Sequence, residues 1–120
     1  MFTGIVEAMA TLEKKQINQS NIDFWFSSPC TSELKIDQSV AHNGVCLTVV
    51  EIKNQNYRVT AINETLQKTN LGDLQIGQKV NLERCMLASA RFDGHIVQGH
   101  VDLTGTCTEI IDQQGSWEFR

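Results

Sequence analysis

At 120 residues, 41% hydrophobic and 20% charged, the sequence has the composition of a folded globular chain, with room for one domain or slightly more. A net charge of −4 without any basic cluster argues against a nucleic-acid partner. No apolar run approaches the roughly 18 residues of a membrane span, and Met1-Phe2-Thr3-Gly4 lacks the features of a signal peptide, so a cytoplasmic location is expected. Cys30, Cys46, Cys85 and Cys107 are scattered, with no CxxC or Cys-x-x-His spacing. They read as reduced, small-hydrophobe-like residues, and no metal site is expected.

The dominant period is two, the mark of strands with one covered face. Ile22, Phe24 and Phe26 share a face. A short helix is expected at about Ser32 to Lys35, capped by Thr31 or Ser32. Asn43-Gly44 marks a hairpin turn, and His42 just before it is expected to be exposed. After the Asn54-Gln55-Asn56 turn, Tyr57, Val59 and Ala61 alternate with Arg58, Thr60 and Ile62. A second helix is expected at about Glu64 to Asn70, with Asn63 capping and Gly72 just past its end. Val80 and Leu82 then alternate with Asn81 and Glu83, between the Gly77-Gln78 turn and the end of the unit. Six short strands and two small helices describe a small closed antiparallel β-barrel, which removes unpaired strand edges.

The chain also repeats itself. Gly4-Ile5-Val6-Glu7 reads against Gly99-His100-Val101-Asp102, an offset of 95 residues. Keeping that offset aligns Thr11 with Thr106, Gln19 with Gln114 and Phe24 with Phe119, more identities than composition alone supplies. A second unit is therefore expected to begin near Gly94 and to run to Arg120, inside what would be its second strand.

Several segments carry a family resemblance. Met1 to Glu7 (MFTGIVE), Ser39 to Val49 (SVAHNGVCLTV), Glu64-Thr65-Leu66, Thr69 to Leu74, Val80 to Arg84 and Gly94 to Val101 (GHIVQGHV) together resemble the riboflavin synthases. The resemblance implies an all-β chain with a six-stranded Greek-key barrel at 1–86, a linker at 87–93, and at 94–120 the truncated beginning of a homologous barrel. It implies a dismutation of two 6,7-dimethyl-8-ribityllumazine molecules by four-carbon transfer, with no metal or organic cofactor. One lumazine is expected per barrel. A trimer is expected of full-length members, and a dimer or another oligomer of this length. The length at hand is expected to bind ligand while turning over little or nothing.

Carried over position by position, the ring-binding stretches fall on Gly4, Ile5 and Val6; on Cys46, Leu47 and Thr48; on Thr60, Ala61, Ile62, Asn63, Glu64 and Thr65; and on Gly99, His100 and Val101. Within the family, Glu64 is expected to hold ribityl hydroxyls and Thr48 the ring edge. A flat heterocycle with fixed donors and acceptors suits main-chain groups, so many positions are expected to act through their backbones. His100, Ser39 and Cys46 are the candidate catalytic residues. His100 replaces the aliphatic Ile5 of the first repeat, and imidazole can exchange protons near neutral pH.

Each candidate has a plainer reading. Gly4 and Gly99 suit close backbone passage, Cys46 a packed thiol, Ser39 a turn hydroxyl, and Thr48 and Thr60 a sheet face. His95 suits the joint between units. Two other functions compete with the enzyme: a non-catalytic lumazine- or flavin-binding protein of antenna type, and an all-β module that docks a protein through a sheet edge.

Overall fold

The structure is a computed structural model that describes residues 1–91 and 93–120. Phe92, inside the expected 87–93 linker, lies outside the described residues. Six strands close into a barrel: β1 (Ala8–Asn18), β2 (Asn21–Ser27), β3 (Ser39–His42), β4 (Val45–Lys53), β5 (Asn56–Ala61) and β6 (Lys79–Arg84). Their spatial order is β1-β2-β5-β4-β3-β6, with β6 returning to β1 and every pair antiparallel. β3, β4 and β5 follow one another as hairpins while β2 lies beside β5, which is a Greek key. The architecture matches the expected fold class.

Closure depends on the long first strand. Ala8 to Thr11 pair with β6, and Thr11 to Asn18 pair with β2, with the register shifting between Leu12 and Lys14. Such a bulge bends a strand and sharpens its twist, so one strand can serve both neighbours. A second shift in β4, between Val49 and Glu51, acts likewise. At the Asn43-Gly44 turn both residues have positive φ, 50° and 82°, as a tight hairpin of this hand requires.

The period-two faces turn inward as read. Phe24, Phe26, Tyr57, Val59, Ala61 and Val80 are fully buried, with Leu82 nearly so. Each large side chain removed from water contributes about 1.5–3 kcal/mol. Leu71 and Leu74 plug the core from the connection before β6.

His42 is a correction. It is not exposed but fully buried, packed against Phe26 and Tyr57, with Nε2 2.8 Å from the Tyr57 hydroxyl. It shares the inner face of β3 with Val40, and the turn begins only after its side chain has been committed inward. Burial lowers its pKa to about 4, weakly opposed by the Val40 main chain, so the ring is neutral. Nδ1 has no hydrogen-bond partner of good geometry among the described residues. Burial also pushes the Tyr57 hydroxyl far above its ordinary value.

The helices differ in detail from expectation. The first is a single 3-10 turn, Thr31–Glu33, and Thr31 lies inside it, its hydroxyl accepting from the Ser28 N–H at 3.0 Å. Buried Leu34 draws the chain into an extended conformation immediately afterwards, so no further helical residue can follow. The second is α1 (Asn63–Lys68), in which Asn63 is the first helical residue and Ile62 holds the cap position. It stops before Asn70 because Thr69 turns extended, its hydroxyl donating to the Thr65 carbonyl at 2.7 Å. Gly72 lies within a further 3-10 turn, Leu71–Asp73.

Beyond the barrel, β7 (Ile110–Asp112) and β8 (Trp117–Phe119) form a hairpin. Its register reproduces the end of the first hairpin at the 95-residue offset: Lys15↔Phe24, Gln16↔Asp23 and Ile17↔Ile22 become Ile110↔Phe119, Ile111↔Glu118 and Asp112↔Trp117. The backbone agrees too, with φ of 57° at Gln19 and 58° at Gln114, and 85° at Gly4 and 82° at Gly99. Among the described residues, no helix is long and apolar enough to cross a membrane.

Candidate functional site

The two repeat openings meet on the barrel wall. Phe2 pairs with Val97 in both directions, its N–H donating to the Val97 carbonyl at 2.7 Å and its carbonyl accepting at 2.9 Å. Two residues on, the Gly99 carbonyl accepts from the Cys46 N–H on β4 at 2.9 Å. Gly99 is buried with positive φ, and a Cβ there would lie 2.8 Å from the Cys46 Cβ and 3.0 Å from the Phe2 ring. Glycine is required for this contact on both counts. The close-packing reading of Gly99 accounts for these contacts.

This docking creates a cleft of about 370 Å³. One wall is Gly99, His100, Val101 and Asp102; the opposite wall is Glu64, Thr65, Lys68 and Thr69 from α1 and its end; Val45 and Cys46 form the floor. The size falls in the range of small-molecule sites, roughly 300–1,000 Å³, and the lining is mainly polar. The first helical hydrogen bond runs from the Leu66 N–H to the Ile62 carbonyl at 3.0 Å. The N–H groups of Asn63, Glu64 and Thr65 therefore have no partner within the helix.

The charges around the cleft are Glu64 and Asp102 against Lys68. Lys68 Nζ lies 2.7 Å from Glu64 Oε1 across one helical turn. The Lys68 hydrogen bond and charge hold the Glu64 carboxyl below its usual value, and the same pair raises Lys68, with a further push from Asp102. Both side chains are solvated, so the pair orders the rim more than it stabilises the fold.

Of the candidate residues, Cys46, Glu64, Thr65, Gly99, His100 and Val101 are brought together in this cleft. The Cys46 N–H is already given to Gly99, which leaves its half-buried thiol side as the available group. Gly4 and Val6 line a second cleft of about 230 Å³ that shares Gly99 with the first, below the size of a usual ligand pocket. Ile5 faces a wider groove beside Arg84. Leu47 and Ala61 point into the core. Thr60 donates its hydroxyl to Asp23, while Ile62 and Asn63 are exposed at the start of α1. Ser39 and Thr48 are ladder partners on the outer face that also carries Cys46, two residues along from it and outside the cleft lining. His95 is exposed, and its N–H joins the segment to the Thr3 carbonyl at 3.0 Å.

Lys68, Thr69 and Asp102 were not among the candidates. Their signals are simple: positions 68 and 69 lie one helical turn beyond 64 and 65, and Asp102 ends the repeated tetrapeptide.

The family model of the lumazine binding domain matches residues 3–85. Riboflavin synthase of Bacillus amyloliquefaciens is 43% identical over 111 residues, covering 92% of this chain and 52% of that protein. Riboflavin synthase of Bacillus subtilis (strain 168) is 39% identical over 117 residues, covering 97% of this chain and 54% of that protein. The chain spans about half the length of the curated relatives it matches. Among solved structures, LumP complexed with 6,7-dimethyl-8-(1'-D-ribityl) lumazine superposes with a TM-score of 0.87 at 22% identity, over 99% of this chain and 67% of that one. That likeness is one of fold. With the barrel, its repeated opening and a match over most of the barrel's length, the chain belongs to the lumazine binding domain family.

Proposed function

We propose that these residues are the first lumazine-binding barrel, with the opening of the second, of a riboflavin synthase. The whole enzyme would convert two 6,7-dimethyl-8-ribityllumazine molecules into riboflavin and 5-amino-6-ribitylaminopyrimidinedione, the last step of riboflavin biosynthesis. The observation that carries the reading is the cleft in which α1 of the first repeat faces Gly99 to Asp102 of the second.

In this reading the ring sits against the Cys46 floor, near His100, and the ribityl chain runs to the Glu64–Thr65 end of α1. A methyl group on the electron-poor ring loses a proton, and the resulting carbanion attacks the second lumazine. The ring's own conjugation stabilises that charge, so the protein supplies orientation and proton exchange. His100 is the group proposed to exchange the proton, with Cys46 beside it. Ser39 is placed in the same reading on the outer face next to Thr48, where a second ligand would approach. A trimer of the full-length enzyme belongs to the same proposal.

The test is a fluorescence titration of riboflavin and of the lumazine into this chain, followed by a riboflavin-formation assay on a chain extended through the second barrel. Binding with turnover is the expected result. Absence of any spectral change at near-millimolar protein would remove the ligand reading. Binding without turnover in the extended chain would favour an antenna-type protein.

A further inference from the structure

We propose that Glu83 is a positioning residue for the cleft: its carboxylate latches the N-terminal segment, which in turn holds the Gly99–Asp102 wall. The proposal rests on the cleft being the ligand site, but the latch itself can be tested without ligand.

Glu83 is the penultimate residue of β6 and only 8% exposed. On a strand whose inner face is Val80 and Leu82, it points outward and would ordinarily be solvated. Instead one carboxylate oxygen accepts from both the N–H and the hydroxyl of Thr3, the hydroxyl at 2.7 Å, and the other accepts from the Gly4 N–H at 3.0 Å. Hydrogen bonds to an ionised group are about twice as strong as neutral ones. No Lys or Arg is within ion-pair distance of Glu83 among the described residues, so main-chain and hydroxyl donors are what compensate its burial.

What the latch holds is not part of the barrel sheet. Thr3 and Phe2 carry the three main-chain hydrogen bonds that fix residues 95–97, and Gly94 passes so near the Thr3 carbonyl that a Cβ would lie 2.6 Å from it. From Val97 the chain runs two residues to Gly99, the Cys46 contact and the cleft wall. The second repeat is thus hung on a peptide that Glu83 grips. Releasing that grip frees the wall while leaving the six barrel strands paired.

The experiment is amide hydrogen exchange on the 120-residue chain and on Glu83→Gln, with riboflavin affinity measured alongside. Glutamine keeps one acceptor but turns an N–H₂ toward a donor. Exchange at the Val97 and Cys46 amides is expected to rise about tenfold, with β2 and β5 amides within about twofold, and riboflavin affinity to fall about tenfold. A rise shared equally by β2 and β5 would make Glu83 an ordinary stabilising residue and overturn the proposal. So would unchanged exchange at Val97 and Cys46, or a changed exchange with unchanged affinity. If Glu83→Gln does not fold, Thr3→Val removes one donor from outside the barrel strands and must show the same local pattern at smaller amplitude. Failure of the wild-type chain to bind riboflavin would count against the ligand reading alone, since the exchange pattern is read without it.

Discussion

The hairpins β1–β2 and β7–β8 share register and turn geometry at an offset of 95 residues, yet their fates differ. Phe24 is fully buried, while its counterpart Phe119 is 66% exposed, next to Trp117 at 60%. Strand pairing and turn conformation are therefore encoded within each hairpin, whereas burial depends on the strands that close over it. The first half of β1 makes the same point. It gains its pairing from β6, and the equivalent residues 103–106 have no strand partner among the described residues.

The largest effect should come from chemistry that needs both repeats. In a chain extended through the second barrel, His100→Ala is expected to slow riboflavin formation about 100- to 10,000-fold, the usual contribution of a general acid or base. Turnover should fall far more than affinity for the first barrel. The 120-residue chain should bind riboflavin and form almost none. By the offset, the counterparts of Ser39, Cys46 and Thr65 would be residues 134, 141 and 160, and correct orientation of two substrates is worth several kcal/mol. Steady-state rates within threefold of wild type for His100→Ala would take that residue out of the reaction.

Next in size is the direct comparison of the two phenylalanines. Phe24→Ala should cost about 3–5 kcal/mol in urea unfolding, as large-to-small changes in closed cores do. Phe119→Ala should fall within about 0.5 kcal/mol. Similar losses at both sites would mean that the second hairpin is packed as firmly as the first.

Barrel closure also buries a titratable group. Because the folded state lowers the His42 pKa from 6.5 to about 4, the unfolded chain takes up the proton first as the pH falls. The His42 contribution is therefore full above 6.5 and is lost as the pH drops from 6.5 toward 4, on the order of 3 kcal/mol in all. His42→Leu should lower stability at neutral pH by leaving the Tyr57 hydroxyl unpaired, while flattening the acid slope. Urea midpoints at three pH values in that window, for both proteins, measure the difference. Equal slopes would assign the acid sensitivity to carboxylates.

Much of the barrel is legible because β2, β5 and β6 alternate and the turns at Asn43-Gly44 and Gly77 carry glycine. Tyr57, Val59 and Ala61 can be placed inward from spacing alone. His42 cannot, since a polar residue beside a turn has the same local pattern whether its ring points at solvent or at Tyr57. The pattern at Ser32 to Lys35 predicts a helix that the structure cuts to a 3-10 turn at Thr31–Glu33, because Leu34 is extended by tertiary burial rather than by propensity. For the site, the repeat points to Gly99 and His100, but not to the fact that Gly99 lines both clefts while Gly4 lines only the smaller one. Glu83 was invisible for a related reason: its partners are 79 and 80 residues away, and no local pattern marks an outward carboxylate as buried.

The smallest predicted effect separates the two repeated glycines. Both have positive φ, so alanine at either should cost about 1–2 kcal/mol in backbone strain. At position 4 an added Cβ meets only the Val97 side chain at 3.6 Å, an ordinary contact. At position 99 it would lie 2.8 Å from the Cys46 Cβ and 3.2 Å from the Cys46 nitrogen, so the segment must lift away and the Gly99–Cys46 hydrogen bond must lengthen or break. Gly99→Ala should therefore weaken riboflavin binding about tenfold more than Gly4→Ala, one hydrogen bond's worth beyond the shared strain. Thermal unfolding of the barrel should separate the two variants much less, because the lifted segment lies outside the six-strand ladder. Equal affinities in the two variants would mean that the close approach of the second repeat to β4 does not shape the cleft, and that the repeats share only a local turn.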